Sequence, residues 1–135
     1  HFDNAIALAN DRWAYHFNRA RAYADLRDWA NAITGYRDAA QLFPDDYVTQ
    51  FNLARALQAS GDLPGALEGF QQAISLAPGE PDFHLSYASA LDKAQRPADA
   101  ATAYRRYLEL DSTTPHAEKI KARLDQLEGT TTRRP

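Results

Sequence analysis

Asn18 and Arg21 stand three residues apart in "FNRARAY" (17–23), and Asn52 and Arg55 repeat the arrangement in "FNLARAL" (51–57). The two phrases are offset by 34 residues. An Asn side chain carries a donor and an acceptor, so a row of them can bracket an extended peptide backbone without reading its sequence. Arg offers a planar fork that matches a carboxylate. Phe17 and Phe51, which open the phrases, could seat apolar side chains. The same residues also have a packing reading. Asn can bridge neighbouring helices, Phe can fill the space between them, and Arg21 can pair with Asp25 at i+4.

Other chemistry-bearing residues form no site. His16 and His84 fall two repeats apart, roughly 20 Å at ~10 Å per helix layer, too far to share a metal. His116 stands alone. Asp45–Asp46 reads as a turn and helix cap rather than paired catalytic carboxylates. Arg105–Arg106 reads most simply as a solvated face, although two adjacent cations could contact an acidic partner. No phosphate-binding Gly loop and no Ser–His–Asp order is present, so no enzyme activity, cofactor or metal is expected.

Bulk numbers agree. The 135 residues suit one domain, and 44 % hydrophobic content is enough for a core. A net charge of −3 gives no reason to expect nucleic acid. No apolar run approaches the ~20 residues of a membrane helix, so no membrane insertion is expected. Cysteine is absent, which removes disulfides and thiolate sites without choosing a compartment.

The elements that position the two phrases follow from the 34-residue offset. Laid on itself, the chain gives three blocks, 13–46, 47–80 and 81–114. Ala20, Ala54 and Ala88 align, as do Ala22, Ala56 and Ala90, and Ala32, Ala66 and Ala100. Aromatic residues align at Tyr36, Phe70 and Tyr104, and leucines at Leu42, Leu76 and Leu110. Pro44 and Pro78 close two blocks; Ser112 holds that place in the third. Each block reads as two helices. In the second, Leu53, Ala54 and Leu57 form one stripe, and Ala66, Leu67, Phe70, Ala73 and Ile74 another. "SGDLPG" (60–65) is the turn between them. The small residues let helix axes approach closely.

The ends have the same phase. Phe2, Ala5, Ile6 and Leu8 align with Phe70, Ala73, Ile74 and Leu76. Residues 1–12 therefore read as the second helix of an earlier repeat, from a longer array, or as an N-terminal capping helix. Residues 115–129 read as a C-terminal capping helix with an apolar stripe of Ala117, Ile120, Leu124 and Leu127, ended by Gly129. Glu118, Lys119, Lys121, Arg123 and Asp125 are expected on its wet side. Residues 130–135 read as a disordered tail.

This pattern resembles the tetratricopeptide repeat family, whose unit is a ~34-residue helix–turn–helix. Block 47–80 matches best, through Leu53, Ala54, Leu57, Gly61, Asp62, Ala66, Phe70, Ala73 and Pro78. Arg19, Arg27, Gln95 and Tyr107 depart from the family pattern. The resemblance implies an all-α, right-handed superhelical solenoid of antiparallel helix pairs. It also implies a groove, lined by the first helix of each pair, that takes a peptide or partner segment. Carried onto this chain, the groove positions include Phe17, Asn18, Arg21, Phe51, Asn52, Arg55, Leu85, Ser86 and Ser89.

Chaperone-binding members hold a C-terminal carboxylate with Lys and Asn, then Asn, then Lys and Arg. Here those places hold Phe17 and Arg21, Asn52, and Asp82 and Ser86. Binding of those chaperone tails is not expected. The expected function is that of a protein-interaction scaffold or adaptor. The alternative is self-assembly, with the open apolar end at Phe2, Ile6 and Leu8 stacking on another copy as a homo-oligomer.

Overall fold

The computed structural model describes the backbone of residues 2–132 and the side chains of residues 4–129. Among these, every regular element is an α-helix. The chain divides into two compact units at Leu76–Ala77. The first holds α1 (Phe2–Asp25), α2 (Trp29–Leu42), α3 (Tyr47–Ala59) and α4 (Leu63–Leu76). The second holds α5 (Pro81–Lys93), α6 (Pro97–Leu110) and α7 (Ala117–Thr132).

The hairpins α1–α2, α3–α4 and α5–α6 turn in the same way. Arg27, Gly61 and Gln95 occupy the left-handed region, with φ of 59°, 97° and 60°. The next residue's amide reaches back to the ending helix: Asp28 N to Tyr23 O, Asp62 N to Leu57 O and Arg96 N to Leu91 O, at 2.9, 2.9 and 3.0 Å. The left-handed residue itself donates to Ala24 O, Gln58 O or Asp92 O. This pair of bonds is the Schellman C-cap, which suits Gly and is strained for other residues. Arg27 and Gln95 therefore depart from the family's turn glycine in type while keeping its conformation.

The second helix of each pair begins at once. Asp28 Oδ1 accepts from Asn31 N and Asp62 Oδ1 from Gly65 N, satisfying an amide that the helix leaves open. In the third repeat Arg96 holds that place and bonds Asp99 instead.

Small residues form the seam inside each pair. Gly35 faces Ala20 and Gly69 faces Ala54. The third repeat has Ala103 and Ala88 in those register positions, both buried. Around the first seam, Phe17, Tyr36 and Ala39 pack with Trp13, Trp29 and Leu53. Trp13 stacks on Phe17 with ring centroids 5.0 Å apart, and Tyr36 meets Phe17 edge-on at 5.7 Å. In the second unit Phe83, Leu91, Tyr107, Ile120 and Leu124 are buried.

The other two departures also find partners. Arg19 lies 5.4 Å over the Tyr23 ring and donates to its hydroxyl. Tyr107 is buried, and its hydroxyl meets Thr114 Oγ1 at 2.7 Å. Fourth positions repeat another device. Gln50 Nε2 donates to Pro44 O, and His84 Nε2 lies 2.8 Å from Pro78 O.

Both ends differ from the sequence expectation. Residues 2–12 form no separate helix; they are the first half of α1, which runs unbroken through Phe17. No Gly or Pro lies between Phe2 and Asp25 to stop it. Phe2, grouped with Ile6 and Leu8 at the apolar end, has its side chain outside the described residues. At the other end Pro115 and His116 precede α7, whose first i→i−4 bond runs from Ile120 N to His116 O; Thr114 Oγ1 accepts from His116 N just ahead of it. Gly129 does not end α7, which continues to Thr132. Its φ is not positive, so it does not make the left-handed cap that a terminating glycine supplies. Of the expected tail, 130–132 continue the helix and 133–135 lie outside the described residues.

Candidate functional site

In the first unit a cavity of about 600 Å³ lies between α1, α2 and α3. Helical spacing explains its walls. Phe17, Arg21 and Asp25 succeed one another at i, i+4 and i+8 on α1, and Val48, Asn52 and Ala56 do the same on α3. Arg55, one turn on from Asn52, joins them, and α2 adds Trp29 and Tyr36. The two phrases from the sequence thus meet at one pocket through Phe17, Arg21, Asn52 and Arg55.

Their roles divide. Phe17 is 8 % exposed and belongs to the core, showing the pocket little of its ring. Arg21 and Arg55 are exposed, and neither has an ion-pair partner among the described residues. The Arg21–Asp25 pair considered from the sequence is not closed. Arg55 rests over the Phe51 ring, 5.7 Å from its centroid. Asn52 Nδ2 donates to Val48 O at 2.9 Å, which fixes the amide and leaves its Oδ1 and second N–H for a ligand. Burial raises the Tyr36 phenol pKa, and the Arg21 and Arg55 charges oppose that rise only in part. Tyr36 is therefore a neutral hydroxyl at neutral pH. The pocket offers two guanidinium groups, an amide, a phenol and the Asp25 carboxylate beside an aromatic wall, a set with a net positive balance that suits an anionic or carbonyl-rich ligand.

Other predicted residues fall elsewhere. Asn18 is exposed and does not line the pocket. Phe51 is half-buried and packs on Phe70, 5.7 Å between centroids. Leu85 and Ser89 line a different cavity, in the second unit, of about 430 Å³. Ser86 is half-buried and lines neither.

The second cavity holds a pair that sequence reasoning missed. Arg123 Nε and Nη2 bind Asp92 Oδ2 and Oδ1 at 2.7 and 2.6 Å, and Tyr104 donates to the same carboxylate. These bonds, Arg123 foremost, hold the Asp92 carboxyl below its ordinary range against the opposing effect of burial. Arg123 is therefore not on the wet side of α7. The signal was available: Arg123 follows Ser89 by 34 residues and so extends the column of Arg21 and Arg55. Among the described residues, no cluster of His and acidic side chains could hold a metal ion, and no helix is long and apolar enough to cross a membrane.

Models described as "Tetratricopeptide repeat" match residues 13–46 and 51–115. No curated protein sequence matches the chain closely enough to count as a relative. Among solved structures, it is similar to the TPR2B domain of yeast Sti1 in its pHsp70 complex. That match has a TM-score of 0.78 at 20 % identity and covers 88 % of this chain and 98 % of that one. It is also similar to the Yersinia enterocolitica type III secretion chaperone SycD in complex with a peptide of the translocator YopD. Here the TM-score is 0.81 at 17 % identity, covering 90 % and 95 %. A third similar structure is the Thermobaculum terrenum O-GlcNAc transferase, with a TM-score of 0.75 at 18 % identity. It is matched over 86 % of this chain and 22 % of its own. The fold is thus the all-α helix-pair solenoid of these structures.

Proposed function

The chain belongs to the tetratricopeptide repeat family, and from that premise we infer that it is a protein-interaction adaptor. It takes a peptide or partner segment along the first-helix face of its repeats. One observation carries the reading: Arg21 and Arg55 stand without ion-pair partners among the described residues, beside the amide of Asn52, in a pocket walled by Trp29 and Tyr36. Cations held next to an aromatic wall suit a ligand with carboxylate and apolar groups. The Sti1 and SycD structures, which hold pHsp70 and a YopD peptide, support a peptide or protein partner. No step of chemistry is assigned to this chain; in the O-GlcNAc transferase the similar segment is a small part of the whole.

The test is an affinity capture from the source organism's lysate with the wild type and an Arg21→Ala, Asn52→Ala, Arg55→Ala variant of unchanged helicity. A protein retained only by the wild type supports the reading. Equal retention overturns it.

A second reading rests on the exposed end of α1. Ile6 and Leu8 are 56 % and 63 % exposed, an apolar pair left largely uncovered by the described residues. Stacking on a second copy would bury them. Sedimentation across the micromolar range tests this: a constant monomer mass counts against it.

A further inference from the structure

We propose that α7 is a ligand-binding helix as well as a cap, and that the cavity it forms with α5 and α6 takes an acidic residue flanked by an aliphatic one. The proposal rests on the reading that first-helix faces bind peptide, and it assigns a partner chemistry to the second unit.

The register gives the first argument. Adding 34 to Asp82, Leu85 and Ser89 gives His116, Lys119 and Arg123. All three residues so reached line the second cavity, together with Leu85 and Ser89 themselves. The repeat therefore continues past 114 as a further first helix, and α7 presents to α5 the face that first helices present to their neighbours.

Charge gives the second. Asp92 is the acidic residue in the cavity wall. Both its oxygens are engaged by Arg123, and Tyr104 donates to it as well. It is thereby neutralised as a source of repulsion. Arg123 is spent in the same contact, with its remaining nitrogen on Gln126. Lys119, exposed and without an ion-pair partner among the described residues, is left as the available cation. His116 stands three residues before it, also exposed.

The floor gives the third. Leu85 is half-buried, while Ile120 and Tyr104 offer the edges of nearly buried apolar groups. A cavity of about 430 Å³ accepts a Leu- or Ile-sized side chain with its neighbour's carboxylate at Lys119. A basic ligand would meet Lys119 directly.

The probe is the tetrapeptide acetyl-Asp-Leu-Asp-Leu-amide, titrated into ¹⁵N-labelled full chain and followed by amide shifts, with acetyl-Lys-Leu-Lys-Leu-amide as comparator. The expected result is saturable shifts at Ser89, Lys119 and Ile120 with the acidic peptide and none with the basic one. Lys119→Glu should weaken acidic-peptide binding about tenfold, since reversal removes an attraction and adds a repulsion. Lys119 is exposed, so the variant should fold; unchanged dispersion of the other amides checks this. Shifts confined to Arg21, Asn52 and Arg55 would overturn this inference and leave the adaptor reading standing. Equal binding by both peptides, or by Lys119→Glu and wild type, would overturn it as well. Shifts in neither unit would overturn it and count against the adaptor reading too.

Discussion

Gly69 faces Ala54 with no room for a methyl group between them: a Cβ on the glycine would lie 2.8 Å from the alanine's Cβ. Gly35 and Ala20 stand in the same relation. Gly69→Ala should therefore push α3 and α4 apart, at a cost of ~1–3 kcal/mol. In an open helix the same change would stabilise by up to ~1 kcal/mol. The sign of the change in thermal or urea midpoint decides between the two. A stabilised Gly69→Ala would mean that the seam has slack.

Arg27 and Gln95 adopt a conformation that costs a residue with a Cβ ~1–2 kcal/mol. Glycine relieves this but brings extra freedom to the unfolded chain. Arg27→Gly and Gln95→Gly should each stabilise by a net of about 0.5 kcal/mol, and Gly61→Ala should destabilise by about 1 kcal/mol. Denaturant midpoints with unchanged slopes would check all three.

Asp92 and Arg123 predict a pH dependence. The Asp92 carboxyl is held below its ordinary range by Arg123, so its ionised form favours the folded state. That stability is fully present above the unfolded value of ~3.9 and is lost as pH falls through the lowered folded value. Asp92→Asn should cost about 1 kcal/mol at neutral pH, a partly exposed bidentate pair being worth little more. The gap to wild type should close as the pH falls below ~4. Urea titrations of both proteins at several pH values provide the test; a gap independent of pH would assign the loss to packing.

Phe17 and Arg21, one turn apart on α1, should behave oppositely. Phe17 is a core residue, and Phe17→Ala should cost ~3–5 kcal/mol. Arg21→Ala, at an exposed site, should change stability by no more than about 0.5 kcal/mol. If the pocket binds the partner, Arg21→Ala weakens that binding in a folded protein. Calorimetric unfolding of both variants beside partner capture separates the two roles.

The helix pairs were readable from the sequence because each helix buries a stripe of fixed spacing, and the 34-residue offset repeats that stripe. The seam was half readable. The alanine column at Ala20 and Ala54 stood out, while its partners Gly35 and Gly69 resembled scattered glycines, since a helical glycine signals nothing until its neighbour is known. The turns misled in type only: Arg27 and Gln95 departed from the expected glycine, yet the backbone pairing imposes the same φ. The ends were least legible. A continuous helix through residues 9–12 and one through Gly129 both depend on the absence of a stop signal. At the site, Arg21, Asn52 and Arg55 were found by their repetition. Arg123 was not, because α7 was treated as a cap with a wet outer face instead of as one more turn of the same register.

The pairing of each helix with its sequence neighbour bears on how quickly the chain folds. In the first unit α1 meets α2, α2 meets α3 and α3 meets α4; in the second α5 meets α6 and α6 meets α7. Every one of these contacts closes a short loop, so little chain entropy is lost before apolar burial compensates it. Within each unit, folding should then fall in the microsecond-to-millisecond range typical of local helical topologies. The slowest step should be the docking of a hairpin rather than a search for a distant partner, leaving few exposed intermediates to aggregate.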